Sequence, residues 1–232
     1  MQGTRQVWYF VESQSKFGDL YNILHLPYTA MLLSFVVIGA AVSPGLHLDR
    51  LAATVCAYFL GLGIGAHAID QLEPSGSHYV TKMGSEELVG LAAVGLVGGT
   101  TIGFYYALTL TAWLVPFILI NLFFAVAYPL PSRVAGGFFH NNLSFAFAWG
   151  FLPSVTSYFV NSPALTAGSV VLGLPAAAVA WGEIRLSRRA RMARKEGLPT
   201  ADYEGPEKAL GLLVASTCSI ALLLLAVRLA WG

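Results

Sequence analysis

Gly61–Glu73, GLGIGAHAIDQLE, begins as the end of an apolar helix and finishes in three ionisable side chains, His67, Asp70 and Glu73. Upstream, residues 50–69 supply about 20 positions, nearly all apolar, the length that crosses a bilayer. His67, Asp70 and Glu73 are spaced by three. Each such step turns a helix by about 300°, so the three fan over roughly a 120° arc at the helix end. Asp70 and Glu73 can therefore reach one Mg²⁺, an ion that takes carboxylate oxygens and leaves its other positions to water or phosphate. His67 lies deeper, where it can bond Asp70 or a ligand. An ionisable group within a span is costly and generally faces a cavity. The competing reading is a helix end whose polar residues simply emerge into water.

Working outward, the whole chain carries the same signature. Of 232 residues, 56% are hydrophobic and 11% charged, and mean hydropathy is +0.66. Soluble domains carry about 25% charged residues, so the composition excludes an ordinary soluble enzyme and indicates an all-α integral membrane protein. Residues 1–26 hold Arg5, Glu12, Lys16 and Asp19 and lack a compact apolar core. They read as an interfacial segment, with a short amphipathic helix near residues 17–26, and not as a cleavable signal peptide. Residues 27–232 read as one transmembrane domain with spans at about 27–46, 50–69, 86–106, 109–129, 141–161, 164–182 and 208–230. Residues 88–130 carry no charge, so the third break is placed near 108–111. Glycines recur every fourth residue at Gly61 and Gly65 and at Gly95, Gly99 and Gly103, a spacing that clears a groove for a neighbouring helix. Cys56 and Cys218 fall in apolar segments and read as buried thiols, not as a disulfide.

Seven spans put 11 of the 13 lysines and arginines on one side, leaving Arg50 and Arg228 opposite. That asymmetry predicts a cytoplasmic N-terminus and an external C-terminus, in the inner membrane if the source is bacterial or archaeal. The acidic residues follow the same side, with Asp49 alone opposite. Acidic residues do not set topology, so their gathering suggests a site open to that face. The 6–7 loop, 183–207, starts with EIRLSRRARMARKEG. This stretch predicts a basic continuation of the sixth helix, attracted to anionic headgroups by about 1 kcal/mol per basic residue. Nucleic acid is a poor partner for a segment so closely flanked by spans.

Two further polar clusters fall on that side. Tyr128 ends the fourth span, Arg133 lies in the connection, and His140, Asn141 and Asn142 open the fifth. Arginine suits bidentate phosphate contact; an interfacial aromatic with a topogenic arginine is the plainer reading. Asp202, Glu204 and Glu207 precede the last span, where acidic residues also favour a helix N-terminus.

The order of these features resembles the UbiA-type intramembrane prenyltransferase superfamily over roughly residues 20–225. LHLPYTAMLLSFVVIGAA is similar to its first span. The second span ends in an acidic motif, Tyr128-Pro129 with Arg133 follows the fourth, and DYEGPEKALG is similar to the second acidic motif. The resemblance implies a UbiA-like bundle whose two acidic motifs hold Mg²⁺ on an isoprenoid diphosphate. It assigns metal binding to Asp70, Glu73, Asp202, Glu204 and Glu207. Tyr128, Arg133, His140, Asn141 and Asn142 would hold substrate, with catalysis by Asp70, Glu73 and His67. The implied function is transfer of a prenyl group to an acceptor in a cytoplasm-facing cavity.

Along the first motif the chain carries Ala66, Asp70 and Pro74, and along the second Asp202, Glu204, Gly205 and Pro206. A non-catalytic relative therefore stays open as the alternative, binding an isoprenoid, quinone or pigment, or serving as a subunit of a membrane complex. A histidine-dependent metalloenzyme is disfavoured because His25, His47, His67, His78 and His140 are dispersed along the chain. No inverted repeat supports a transporter.

Overall fold

The computed structural model describes residues 9–73 and 82–231. Every regular element among them is helical. The helices are α1 (Lys16–Ile23), α2 (Leu26–Ala41), α3 (Leu48–Asp70), α4 (Ser85–Thr109), α5 (Ala112–Ala127), α6 (Asn142–Asn161), α7 (Ala167–Lys195) and α8 (Thr200–Trp231). Five of them, α3, α4, α6, α7 and α8, are long and apolar enough to cross a membrane, and the bent pair α1–α2 makes a sixth if taken as one span. The apolar segments fall where the sequence puts them, but α5 is a shorter apolar helix.

Local chemistry sets the breaks. The Ser15 hydroxyl accepts from the Gly18 N–H and caps α1. Between α1 and α2 the axis bends by 47°. His25 makes that bend in the left-handed region at φ +43°, a conformation histidine tolerates better than most non-glycine residues, and Pro27 then sits in the first turn of α2. The uncharged run breaks at Thr111, which is extended and accepts from the Trp113 N–H. α7 begins at a Thr166–Ser169 capping box and runs unbroken to Lys195, so the basic segment is a continuation of an apolar helix.

α2 is the hub. It packs against α8 and α6, and also touches α3 and α7, while α4 lies along α3 and α7 along α6. Lipid tails are as apolar as leucine, so close backbone fit has to hold such helices together. The glycine stripes provide it. A Cβ on Gly95 would lie 2.6 Å from the Leu60 carbonyl oxygen and 2.8 Å from the Gly65 nitrogen, and one on Gly99 would lie 2.6 Å from the Ala57 oxygen. The α4 glycines thus pack directly on the α3 backbone. That part of α3, Phe59–Ala66, is a π-helical segment, and α6 carries another at Ala146–Phe151. Cys56 does not fit the expectation of a buried thiol: it is exposed on α3, while Cys218 is half-buried and accepts from the Ser34 hydroxyl at 3.2 Å.

Candidate functional site

The C-termini of α3, α5 and α7 and the start of α8 supply the groups of one charged end of the bundle. At its centre is Tyr128, the residue that caps α5. Its ring is stacked on His140 (centroids 4.7 Å apart, 27° between planes) and lies 4.9 Å from Trp149. His140 Nδ1 donates to the Tyr128 carbonyl at 2.7 Å; a carbonyl can only accept, so Nδ1 carries the proton. The Tyr128 hydroxyl accepts from Arg188 Nη2 at 3.3 Å. Arg191 and Asp70 also lie within electrostatic reach of Tyr128. The Tyr28 hydroxyl, from α2, donates to Ser187, and Arg191 and the buried Glu183 act on Tyr28. One packed aromatic cluster thus draws on α2, α3, α5, α6 and α7.

Beside it runs a groove bounded by Arg185, Arg188, Arg189, Asn142, Glu196 and Asp202 among others. Arg188 belongs to both the cluster and the groove. The Asn142 amide oxygen is buried without a hydrogen-bond partner. Three guanidinium groups outnumber the two carboxylates of the lining, Asp202 and Glu196, and give the groove a net positive character suited to a phosphorylated ligand.

Other sequence-derived candidates are placed differently. His67, in the last turns of α3, bonds through Nδ1 to the Gly63 carbonyl at 3.1 Å. Its ring lies 4.5 Å from that of His25, so two histidines 42 positions apart in the chain meet. His78 lies outside the described residues. Glu73 is buried, and it accepts from the Ser132 hydroxyl at 2.7 Å and the Ser132 N–H at 3.2 Å, which ties the α5–α6 connection to the end of α3. Arg133, the next residue, is exposed in that connection. Asn141 caps α6: its Oδ1 accepts from the Ser144 N–H at 2.9 Å.

The second acidic segment is not a loop ahead of the last helix. It occupies the first two turns of α8, with Pro206 inside. Glu207 forms a two-pronged pair with Arg194, both contacts at 2.7 Å, and the Arg194 guanidinium lies 4.0 Å over the Tyr203 ring. Glu204 pairs with Lys208 on the exposed face at 3.3 Å. Only Asp202 of this segment borders the arginine groove. Among the described residues, no group of three or more histidine, cysteine, aspartate or glutamate side chains is placed to hold a metal ion by itself. The five expected carboxylates are therefore divided: Glu73 and Glu207 hold connections, Glu204 is on the surface, Asp70 acts electrostatically on Tyr128, and Asp202 borders the groove.

The sequence reading omitted Arg185, Arg188 and Arg191 from the site, although their spacing of three puts them along one side of a helix. It also left Asp19 unexplained. That carboxylate is fully buried and accepts from the N–H groups of Lys82 (2.6 Å) and Met83 (2.8 Å), which anchors the start of α4. Compared with family models, with curated proteins and with solved structures, the chain matches none.

Proposed function

We propose that this chain is a divergent UbiA-like membrane protein that binds an isoprenoid diphosphate at the charged end and transfers its prenyl group to an acceptor. The observation that carries this reading is Arg188, which bonds Tyr128 in the aromatic cluster and borders the groove with Arg185, Arg189 and Asp202. A diphosphate in the groove would meet guanidinium groups whose planar forks match phosphate oxygens. Asn142 would orient it, and the first carbons of the prenyl chain would lie against the aromatic cluster. The faces of Tyr128 and Trp149 are suited to a carbon centre that gains positive charge as the diphosphate departs.

Mg²⁺ needs only one or two protein carboxylates when phosphate supplies other ligands. Asp70 and Asp202 are the residues that would hold it, and its chemistry would be to neutralise the charge on the leaving diphosphate. The one-sided distribution of basic residues supports a cytoplasmic location for this end and for the N-terminus. A second reading, binding without turnover, is favoured by the commitment of Glu73 and Glu207 to structural bonds.

The test uses purified chain in lipid nanodiscs with farnesyl and geranylgeranyl diphosphates, with Mg²⁺ or with EDTA, measuring both bound ligand and released diphosphate. Mg²⁺-dependent release, with at least a tenfold weaker Kd in Arg188→Ala, is the expected result. Binding without release at either chain length establishes the second reading. An absence of binding overturns both.

A further inference from the structure

Away from the charged end, an apolar cleft opens between α3, α4, α5 and α6. Leu62, Leu114 and Ile118 are typical of its wall. Neutral polar side chains interrupt it at Thr54, Tyr58, Thr100, Tyr106, Asn121 and Thr156, and three of these, Tyr58, Asn121 and Thr156, carry a buried polar atom without a hydrogen-bond partner. Tyr58 and Thr156 are more than nine-tenths buried. The Tyr58 hydroxyl lies within interaction range of the Thr156 and Asn121 side chains, but the Tyr58 hydroxyl, the Asn121 amide oxygen and the Thr156 hydroxyl make no hydrogen bond of normal geometry. Tyr58 is ten residues into α3, about 15 Å along its axis, so the three groups lie deep within the apolar part of the bundle.

Hydroxyls inside apolar helices ordinarily bond the carbonyl four residues back. Ser34, Thr54, Thr109 and Thr217 all do so in this chain. Thr156 does not, and its hydroxyl is left for the cleft. Asn121 is constrained in the opposite sense. Its amide nitrogen donates to the Phe117 carbonyl at 2.8 Å, which leaves the amide oxygen as a pure acceptor. The three groups together thus present one fixed acceptor and two hydroxyls able to donate.

We propose that this cleft is a binding site for an apolar molecule carrying a hydroxyl group. An alcohol is the chemistry that completes the set. Its O–H donates to Asn121 Oδ1, and its oxygen accepts from the Tyr58 or Thr156 hydroxyl. An aldehyde or ketone accepts from the two hydroxyls and leaves Asn121 unpaired; a hydrocarbon satisfies none. Buried polar groups left without partners penalise the wrong ligand more than extra apolar contact rewards it. The preference is therefore alcohol over carbonyl over hydrocarbon. The site is independent of the diphosphate reading, because it shares no residue with the arginine groove.

The test is equilibrium binding of tritiated farnesol to the full chain in nanodiscs, with farnesal and farnesene as competitors of matched length. Farnesol should bind at least tenfold more tightly than farnesene, with farnesal between them. Inorganic diphosphate should not displace it. Asn121→Leu should reduce the farnesol preference to about twofold or less, and Tyr58→Phe should weaken farnesol at least threefold while leaving farnesene unchanged. Thr217→Val, outside the cleft, should change neither. Equal affinity for farnesol and farnesene in the unaltered chain overturns the proposal, as it would if only water filled the polar corner. Displacement by diphosphate overturns it too. The ligand series on the unaltered chain decides the matter even if a variant fails to fold.

Discussion

The two acidic segments, one ending α3 and one opening α8, are built on the same plan with different partners. Each commits one carboxylate to a structural bond and leaves another beside the candidate site. In the first, Glu73 is held by a serine hydroxyl and a backbone N–H, both neutral donors. In the second, Glu207 is held by the Arg194 guanidinium, which is also covered by the Tyr203 ring. The difference is one of electrostatic exposure to loss. A neutral donor deprived of its acceptor becomes one unsatisfied polar group, whereas an arginine deprived of its carboxylate becomes an uncompensated charge.

The largest effect is expected from the charged pair. Arg194 and Glu207 are mostly shielded, with side chains 14% and 8% exposed. Glu207→Ala should destabilise the chain by about 3 kcal/mol, the lower end for a buried pair with one partner removed. Denaturant or thermal unfolding in detergent measures this. Replacing both partners with apolar residues of similar volume, Arg194→Met with Glu207→Leu, should restore most of the loss. If the double variant is as unstable as the single one, the pair is not what joins α7 to α8.

Glu73→Ala should cost less, about 1–3 kcal/mol, the penalty for leaving buried donors unmet. Glu73→Gln should cost less again, since the amide oxygen still accepts from Ser132. Limited proteolysis at the α5–α6 connection gives a second measurement, and cleavage near Ser132 should accelerate in Glu73→Ala. A Glu73→Ala chain that keeps its stability but loses diphosphate release would move Glu73 from the structural group to the chemical one.

These differences also show what was legible in the sequence. The apolar segments were, because a run of about 20 apolar residues has few other fates. The glycine stripes were as well: the spacing of Gly61, Gly65, Gly95 and Gly99 implied close packing against a neighbouring helix, although only the backbone shows that the two stripes meet each other. The helical course of residues 183–195 was also legible from its composition. The start of α8 was not. Pro206 and Gly205 read as a loop, and only the Arg194 contacts with Tyr203 and Glu207, made between helices, show why the helix begins at Thr200. The roles of the carboxylates were hidden for the same reason. Spacing places Asp70 and Glu73 near one another, but the Ser132 bond that occupies Glu73 comes from a segment 59 residues away. The π-helical segments left no periodic signature, since each merely shifts the register of an otherwise apolar helix.

The paired site carboxylates offer a sharper test than the structural ones. Asp70→Asn and Asp202→Asn keep side-chain shape and should each change stability by about 1 kcal/mol or less. Under the prenyl-transfer reading each should lower Mg²⁺-dependent diphosphate release at least tenfold, while farnesyl diphosphate still binds through the arginines. Equal release from both variants and the unaltered chain would confine the acidic segments to structure and leave the arginine groove as a binding site alone.

Glu204 should show the smallest effect. Its partner Lys208 is one helical turn away, and the two side chains are 48% and 77% exposed. Such pairs are worth about 0.3–0.5 kcal/mol, and both groups can return to water when separated. Glu204→Ala should therefore leave unfolding, ligand binding and diphosphate release nearly unchanged. The variant discriminates within a single helical turn. Asp202 and Glu204 are two residues apart and so point about 160° away from each other around α8. If Glu204→Ala stops diphosphate release and Asp202→Asn does not, the site lies against the opposite side of α8. The arginine groove bordered by Asp202 would then not be where the diphosphate is processed.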